Sequence, residues 1–515
     1  MMIPTKFKEQ LPFNLISNAG LFFLNVIIGI WMVPFLIGHL GVEGYGFIPL
    51  ALSITAFAGL ISFSLNGAMS RFLVMALHGN DTGRANRVFN TAFWVLVPLA
   101  VWLLPLSGLF SWLTPRVFRV PAYLTAQVQG LFFLMLFSSI VQVFSPVFSA
   151  SAFAVNRLDL QKFMEMGGIF VRTLLIIVFF VFLRTGLRGV GVAYLAGGAA
   201  SLALGYFFFR KLTPSLRISR QYFNLETLKE LTSMGEWLVV GQIGAMLFWE
   251  FNLIVVNVLF GAYEAGQYGA ILQGSFLLRS LACLTADVLV PVVLISHARG
   301  ETQKIVAMTG HAIRFLGLGV AVPIGLLCGF AGPLLTVWLG KDFAPLAPLL
   351  WVLTFHLVVN LAVVPLFAIH SAFNRVRIPG AVSFGLGAVS IFLAVVLARH
   401  CGWGLYGVAA AAAIMLTAQN GIFTPLYTAH ILKLPPMTFL RPLGRGILLA
   451  GAGMILGQVL SRLFLICDWA QLFVVAGSVS MACLGGAFLL LGRSREIVFS
   501  LLKRNEEPRR WEKGD

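Results

Sequence analysis

Residues 35–46 read FLIGHLGVEGYG, and residues 258–269 read VLFGAYEAGQYG. At this spacing of 223 positions, Gly38 aligns with Gly261, and Tyr45-Gly46 aligns with Tyr268-Gly269. Both stretches stand at the end of a long apolar segment, where a helix that crosses a membrane would turn back. The second half of the chain therefore contains an echo of the first half.

Two further echoes follow in the same order along the chain. Asn156-Arg157 recurs as Asn374-Arg375 at a spacing of 218, and the run 191–193 (Gly-Val-Ala) recurs at 407–409 at a spacing of 216. A single echo could arise by chance, but three in one order at nearly constant spacing indicate a duplicated bundle. Internal repeats of this kind in membrane proteins are typical of transporters.

The composition excludes a water-soluble globular protein. The chain is 59% hydrophobic and 11% charged, and its mean hydropathy is +0.92. Apolar stretches of about 20 residues recur throughout, which is the length a helix needs to cross the hydrocarbon core. The alternation of polar and apolar residues that outer-membrane barrels require is absent from the sequence. We therefore predict an all-α polytopic membrane protein with two parallel six-helix lobes and two further C-terminal helices.

Fourteen spans are predicted, and they organise the chain into lobes. The predicted lobes are 1–209 and 236–432, joined by a cytoplasmic linker at 210–235 with a short helix near 225–231. A helix pair at 433–492 and a cytoplasmic tail at 493–515 follow. The predicted spans are 12–38, 45–67, 89–113, 123–149, 164–184, 189–209, 236–260, 267–294, 312–331, 345–371, 380–398, 406–431, 446–466 and 470–492.

The charge distribution predicts the orientation. An even number of spans places both termini on one side, and the segments on that side hold 27 of the 36 Lys and Arg residues. Under the positive-inside rule this side is cytoplasmic. The same rule accounts for the net charge of +17 without nucleic acid, because basic loops also rest against anionic lipid headgroups.

A few charged residues fall inside predicted spans, where each costs roughly 2.5–3.5 kcal/mol to insert. Glu250 and Arg279 lie near the middle of the seventh and eighth spans, so an ion pair between them is one interpretation and a cavity-lining role is the other. Asp287 lies about two turns from Arg279, and Arg172 lies near the middle of the fifth span. Charges at this depth are typical of transport pathways.

Asparagines form a stripe along the first span, at Asn14, Asn18 and Asn25. Asn66 and Arg71 stand at the cytoplasmic end of the second span. Such amides serve either as hydrogen-bonding contacts between helices or as the wall of a wet cavity. His356 and His370 in the tenth span are interpreted as packing residues.

Several kinds of chemistry lack support in the sequence. There is no Walker lysine motif, no HExxH and no paired CxxC, so ATP hydrolysis and metal catalysis are not predicted. Cys401 and Cys467 fall in predicted external loops, where a disulfide and two free thiols are both open.

The residues together resemble a known family. The fourteen spans, the Gly38 to Gly46 hairpin, the exit from span two at Asn66 and Arg71, Asn156-Arg157, and the run Gly191-Val-Ala-Tyr194 are similar to the polysaccharide-transporter branch of the multidrug/oligosaccharidyl-lipid/polysaccharide exporter superfamily. Its members include O-antigen-type flippases, the lipid II flippase and multidrug exporters.

This resemblance implies a flippase rather than an enzyme. The expected cargo is an undecaprenyl-diphosphate-linked oligosaccharide, with Arg71, Arg172 and Arg279 toward the diphosphate and Asn18, Asn25 and Asn66 toward the sugar. The last two helices would hold the lipid tail. Glu250 and Asp287 are candidates for coupling to H⁺ or Na⁺, and no other cofactor is expected. Membrane lipids and other polysaccharide-assembly membrane proteins are the expected partners.

Two alternatives stay open. A cation-coupled multidrug antiporter of the same superfamily is the nearer one, although such exporters typically stop at twelve spans and often carry an acidic residue in the first lobe. A membrane glycan polymerase or ligase is the more distant alternative. It would need a large external loop or a catalytic cluster, and the sequence predicts neither.

Overall fold

The computed structural model describes residues 7–233 and 236–491, except for some side chains within them, including those of Asn66 and Asp287. Every regular element in this part of the chain is a helix. The α-helices, in chain order, are α1 Phe7–His78, α2 Thr82–Val117, α3 Thr125–Gln142, α4 Ser145–Ala154, α5 Leu158–Val178, α6 Gly186–Leu212, α7 Leu225–Ser233, α8 Glu236–Trp249, α9 Phe251–Leu259, α10 Ala262–Ala298, α11 Thr302–Gly329, α12 Ala331–Leu339, α13 Ala347–Thr354, α14 Leu357–Ala362, α15 Leu366–Ala372, α16 Arg377–Val395, α17 Gly404–Thr417, α18 Thr424–Ile431, α19 Leu443–Leu463 and α20 Trp469–Leu490.

Short helices of other kinds lie between them. The 3₁₀ helices are Ala122–Leu124, Arg220–Tyr222, Lys341–Leu346 and Pro436–Thr438. The π-helical turns are Phe179–Leu183, Val396–His400 and Ala418–Phe423.

Twelve helical segments in the described part of the chain are long and apolar enough to cross a membrane. The first of them, Pro12–Leu60, covers two predicted spans. Its helix is broken at Gly41, whose backbone has φ +70° and ψ 167°, a conformation that glycine adopts without a steric penalty. The eighth predicted span coincides with α10. The prediction of an all-α polytopic membrane protein is confirmed.

Several predicted spans are interrupted rather than continuous. The fourth breaks between α3 and α4, the seventh breaks at Glu250 between α8 and α9, and the tenth is divided among α13, α14 and α15. The predicted linker helix is present as α7. Breaks within a span free backbone groups, which membrane proteins tolerate where other groups or water satisfy them.

The chain packs as two compact units. The first unit comprises residues 1–273 and 376–415. Its core at one end is a cluster of apolar side chains in which the rings of Phe89 and Phe209 stack at 4.7 Å and Phe148 lies against both. This cluster draws on α1, α2, α4 and α6. The predicted lobe boundaries at 209 and 236 stay predictions.

The second unit comprises residues 274–375 and 416–515. Within it, α11 and α19 approach so closely that glycines form the contact. A Cβ at Gly329 would lie 2.9 Å from the Cα of Gly457, and one at Gly446 would lie 3.0 Å from the carbonyl oxygen of Gly317. The helix α19, which belongs to the predicted C-terminal pair, therefore packs on α11 with the two backbones in contact. Small residues allow such close approach of helices in membranes.

The Asn-Arg echoes form the same structure in both places. Asn156 and Asn374 have φ of 56° and 51°, in the left-handed region. The N–H of Arg157 donates to the carbonyl of Ala152, and that of Arg375 donates to the carbonyl of His370, each at 2.8 Å. This is the Schellman end of a helix, in which asparagine replaces the usual glycine. The sequence echo thus marks a repeated helix terminus.

A second repeated feature has no counterpart in the sequence echoes. The π-turns Phe179–Leu183 and Val396–His400 end α5 and α16 at a spacing of 217 residues. A glycine with positive φ follows each turn, Gly186 at 63° and Gly404 at 56°. The two copies therefore share the irregular backbone at these helix ends as well as their regular helices.

Charge pairs stabilise helix starts at the predicted cytoplasmic side. Arg157 donates two hydrogen bonds to Asp159 at 2.9 Å, and this contact raises the pKa of the guanidinium. A hydrogen bond from Lys304 lowers the pKa of the exposed Glu301 carboxyl. Because that pKa is lowered on folding, the contact supports the folded state above the ordinary carboxyl pKa and is lost as pH falls through the lowered value.

Candidate functional site

A cavity of about 370 Å³ opens among α1, α3, α5 and α6 of the first unit. It contains Arg172, the one charged residue among its lining side chains. We call it the Arg172 cavity. Its lining residues are Leu52, Thr55, Ala56, Gly59, Met135, Ser138, Ser139, Gln142, Val143, Arg172 and Tyr194.

Glycines place Arg172 at this wall. A Cβ at Gly168 would lie 2.8 Å from the carbonyl oxygen of Gly197, and one at Gly197 would lie 2.7 Å from that of Gly168. The backbones of α5 and α6 therefore touch, with Arg172 one turn beyond the crossing. Its guanidinium carbon stands 4.6 Å from the centre of the Tyr194 ring. A cation in this position is attracted to the face of the ring.

Hydroxyl and amide groups complete the polar wall. Ser138, which is buried, donates to the carbonyl oxygen of Tyr194 at 2.9 Å, and Gln142 donates to the Ser138 hydroxyl at 3.1 Å. These contacts tie α3 to α6 and fix the position of the tyrosine. Thr55 on α1 adds a further hydroxyl to the lining.

The electrostatic character of this cavity is positive. Among the described residues, no carboxylate forms an ion pair with Arg172. A guanidinium at membrane depth is costly without a counter-charge or water. The arrangement can therefore bind an anion with charge-assisted hydrogen bonds, next to an aromatic face and hydroxyl groups.

The two Tyr-Gly hairpins meet at the predicted outer side of the same unit. A Cβ at Gly266 would overlap the carbonyl oxygen of Val42, and one at Gly46 would lie 2.6 Å from that of Ala262. Beside this crossing, Tyr123 donates a hydrogen bond to Glu43, and a second cavity of about 280 Å³ contains Glu43 and Glu264. The quoted repeats are thus in backbone contact.

The three asparagines of the first span differ in their hydrogen-bond partners. The side chain of Asn14 accepts from the N–H of Asp159 at 2.9 Å and donates to the carbonyl of Asn156, so it joins α1 to the loop before α5. Asn25 donates to the carbonyl of Leu21 in its own helix. Asn18 is partly buried, and no hydrogen bond of its side chain is seen in the described part of the chain.

The other predicted site residues lie outside the Arg172 cavity. Arg71 is exposed near the end of α1, and Glu250 is partly buried at the break between α8 and α9. Glu250 belongs to the first unit and Arg279 to the second, so their ion pair stays a prediction. The side chains of Asn66 and Asp287 lie outside the described residues.

The second unit, to which Arg279 belongs, has polar contacts around the two histidines of the tenth predicted span. The amide nitrogen of Asn360 lies 2.6 Å from Nδ1 of His356 and 3.2 Å from the hydroxyl of Thr417. His370 contacts Thr428 at 2.9 Å. Both histidines therefore have polar partners, and the five cysteines are free thiols.

The missed members of the first site are Tyr194, Gln142 and Ser138. Tyr194 belongs to the Gly-Val-Ala-Tyr run, so a signal was present in the sequence. Its role as the partner of Arg172 follows from the Gly168 crossing, which spacing along the chain does not reveal.

The fold is shared with known transporters. An inward-facing multidrug resistance MATE family transporter of the MOP superfamily superposes with a TM-score of 0.63 at 17% identity, covering 81% of this chain and 98% of that one. The lipid II flippase MurJ, in an inward closed conformation, superposes with a TM-score of 0.63 at 14% identity, covering 96% and 99%. The chain therefore has the fold that these two transporters share.

Sequence comparison gives the family. A family model described as "Polysaccharide biosynthesis protein" matches residues 39–348. The uncharacterized membrane protein EpsK of Bacillus subtilis (strain 168) is 33% identical over 497 residues, covering 96% of this chain and 98% of that protein. A candidate O-antigen transporter of Shigella flexneri is 22% identical over 333 residues, covering 64% and 77%. The chain belongs to the polysaccharide biosynthesis protein family, and the predicted resemblance is confirmed.

Proposed function

We propose that this protein moves an undecaprenyl-diphosphate-linked oligosaccharide across the bacterial inner membrane by alternating access. The cargo is a repeat unit for O-antigen, exopolysaccharide or a similar glycan. The direction is from the cytoplasmic to the periplasmic leaflet, with both termini cytoplasmic. The protein acts without covalent chemistry on the glycan, alongside other polysaccharide-assembly membrane proteins.

The observation that carries the proposal is the guanidinium of Arg172 in a polar cavity within the membrane. Among the described residues it has no carboxylate partner, so the site suits an anion that arrives with the cargo. A diphosphate supplies that anion, and a guanidinium binds phosphate oxygens through paired hydrogen bonds. The Tyr194 ring and the Ser138–Gln142 pair suit the apolar faces and hydroxyl groups of a sugar.

The lipid tail needs an apolar surface, and the C-terminal helices offer one. On α20, Phe473, Val474 and Met481 are 68%, 74% and 76% exposed. The helix α19 is docked on α11 by glycines, so this pair is a fixed part of the second unit. We assign the prenyl chain to the surface of this pair.

The family assignment and the extent of the fold favour this cargo over drugs. The MATE transporter and MurJ superpose with equal TM-scores, but MurJ accounts for 96% of this chain and the MATE transporter for 81%. Nearly all of each partner chain is covered, so about a fifth of this chain lies beyond the MATE fold. A drug antiporter would not require that additional part.

Coupling to an ion gradient is assigned to Glu250 and Asp287. Glu250 sits where α8 and α9 are separate helices, so a change in its protonation or ion binding acts at a break in the backbone. A ligand that binds one conformation better than another shifts the equilibrium between them. Either H⁺ or Na⁺ fits this role.

The decisive experiment uses the full chain in sealed vesicles. Undecaprenyl-diphosphate-linked oligosaccharide in one leaflet is followed by its accessibility to a glycosidase added outside. We expect transfer at least tenfold faster than in protein-free vesicles, and accumulation of lipid-linked sugar on the cytoplasmic face when the protein is deleted in cells. Transport of ethidium without transfer of the lipid-linked sugar would establish the drug antiporter instead.

Arg279 provides a second test within the same assay. Arg279→Ala is expected to abolish export without preventing membrane insertion, because the second unit would lose the membrane-embedded charge that we assign to the diphosphate. The matched control is Arg399→Ala, since Arg399 is exposed in the π-turn after α16. Normal export by Arg279→Ala at normal protein level would remove Arg279 from the site.

A further inference from the structure

The linker that follows α6 is held on α2 by two buried asparagines. Asn86 and Asn90 are 5% and 0% exposed and lie one turn apart on α2. The side chain of Asn86 donates to the carbonyl of Ser215 at 3.2 Å and accepts from the N–H of Arg217 at 2.8 Å. The side chain of Asn90 donates to the carbonyl of Arg217 and accepts from the N–H of Ser219, both at 2.8 Å.

This pattern reproduces the pairing of a β-ladder with side chains in place of one strand. Each amide bonds one carbonyl and one N–H of the linker. The bonded residues are every second one, Ser215, Arg217 and Ser219, which is the two-residue period of an extended chain. Each oxygen faces an N–H and each nitrogen faces a carbonyl, so the donor and acceptor ends of both amides are matched. The arrangement therefore fixes the register of the linker as well as its position.

Further contacts extend this attachment toward α7. The N–H of Asn224 donates to the hydroxyl of Thr91 at 3.1 Å, and the guanidinium of Arg220 stacks on the Trp94 ring at 4.7 Å. Thr213, at the start of the linker, donates to the hydroxyl of Ser151 on α4. We call residues 213–224 the strap.

The attachment is stronger than the connection of two helices requires. A linker that only spans a gap stays on the surface and bonds water, whereas the strap has the backbone of three of its residues bonded by buried amides. Burying two amides is favourable only if their partners stay in place, because an unpaired buried amide is costly. The geometry is that of a segment kept in one position.

We propose that Asn86 and Asn90 are positioning residues that keep the strap on α2 throughout the transport cycle. The end of α6 is then not a hinge, and the strap moves with α2. This inference rests on the proposed function, since it concerns the motion that accompanies transport.

The first test measures the attachment without transport. Hydrogen exchange at the amides of Arg217 and Ser219 reports whether they are bonded. In the full chain carrying Asn86→Ala and Asn90→Ala together, we expect these two amides to exchange at least about 30-fold faster. Arg84→Ala is the control: Arg84 lies on α2 like the two asparagines, and its side chain makes an exposed ion pair with Glu230 of α7 and a contact with the Phe72 ring. Unchanged exchange in the double variant would overturn the proposal.

The second test asks whether the strap stays in place. Thr91→Cys and Asn224→Cys are introduced together, the native cysteines are replaced, and a short thiol crosslinker joins the pair. We expect transfer of lipid-linked sugar within about twofold of the uncrosslinked sample, because a strap that never lifts is unaffected by a tether. A loss of tenfold or more on crosslinking, reversed by reduction, would show that the strap must lift, and would overturn the proposal.

A third test measures transport by the variant that carries Asn86→Ala and Asn90→Ala together. We expect it to be inserted and folded at a normal level but to transfer the lipid-linked sugar at least about fivefold more slowly, because the strap no longer follows α2. Full transport by this variant would show that the attachment is only structural. If the unmodified protein transfers no lipid-linked sugar, the proposed function fails, while the hydrogen-exchange result still decides whether the asparagines hold the strap.

Discussion

Two segments of the first unit, α5 with α6 and α16 with the start of α17, occupy equivalent positions in the two copies of the repeat. They differ in the residues and contacts at the middle of their first helix. Both pairs have a π-turn and a left-handed glycine between the helices. In the first pair, Gly168 is in contact with α6, and Arg172 stands over Tyr194. At the spacing of the π-turns, Arg172 corresponds to Val389 and Gly168 to Gly385.

The packing of the two segments differs accordingly. Gly385 has no atom within 4 Å of the position of a Cβ, whereas Gly387, two residues on, is in contact with Gly244 of α8. In the second copy, the glycine that makes the contact lies two residues further along the helix. Its partner is α8, whereas the partner in the first copy is α6. The comparison teaches that the repeat preserved the geometry of helix ends, while the membrane-embedded middle took on separate chemistry in each copy.

The largest difference between the segments is expected at Arg172. Arg172→Ala removes the cation from the cavity and should lower transfer of the lipid-linked sugar about 100-fold, the scale of losing one partner of a buried charge-assisted contact. Arg172→Lys should retain part of the activity, because lysine keeps the charge but not the paired donors. Val389→Ala, at the corresponding position, should leave transfer within twofold. Equal effects at the two positions would contradict the assignment of the site to the first copy.

The next largest effect is on stability, at the two aligned glycines. Gly168→Leu places a side chain between α5 and α6 and should destabilise the protein by about 1–3 kcal/mol, as overpacking does. Gly385→Leu meets open space and should change stability by less than about 0.5 kcal/mol. Thermal unfolding of the purified variants measures both. A stable Gly168→Leu protein would mean that α5 and α6 do not depend on close contact.

A smaller effect is expected at the aromatic partner. Tyr194→Ala removes the ring beneath the guanidinium and should slow transfer about fivefold, within the range of a partly buried cation–π contact. Tyr194→Phe keeps the ring and serves as the control, with transfer within twofold of the unmodified protein. If both variants lose the same activity, the hydroxyl rather than the ring face is the important group.

The smallest effect is expected at the charged residues that directly follow the asparagine of each Asn-Arg echo. Asp159→Asn removes the negative charge that pairs with Arg157 and should cost less than about 1 kcal/mol, because the pair is partly exposed. The second copy has Arg377 where the first has Asp159, so Arg375→Ala should leave the unfolding temperature unchanged. A larger loss for Arg375→Ala than for Asp159→Asn would show that the second copy has its own stabilising contact there.

The sequence is sufficient for much of the fold. Apolar length places the spans, because the hydrocarbon thickness sets how many residues a helix needs. The Asn-Arg echo was visible because the left-handed end of a helix restricts residue type, and asparagine satisfies that restriction at 156 and 374. The π-turns were not visible, since no residue type is required for them.

The site was less predictable, for a physical reason. Arg172 was found because a charge in an apolar helix is rare, whereas Tyr194 and Gln142 are ordinary until a neighbouring helix is placed against them. The asparagine stripe illustrates the same limit, because a helical period identifies a face but not its neighbour. Asn14 joins a loop, and Asn25 bonds its own helix. The spacing of Asn86 and Asn90 held a similar signal at the start of the third span.

The paired π-turns also show how a helix end accommodates an additional residue. A π-turn accommodates one residue more than an α-turn, so each marks a position where a helix gained length without losing its course. Both copies carry this additional residue at the same place, followed by the same left-handed glycine. The additional residue is therefore common to the two copies, whereas Arg172 of the first copy has Val389 at the corresponding position of the second. A helix end can thus be the same in both halves of the chain while the chemistry in the middle of the helix differs.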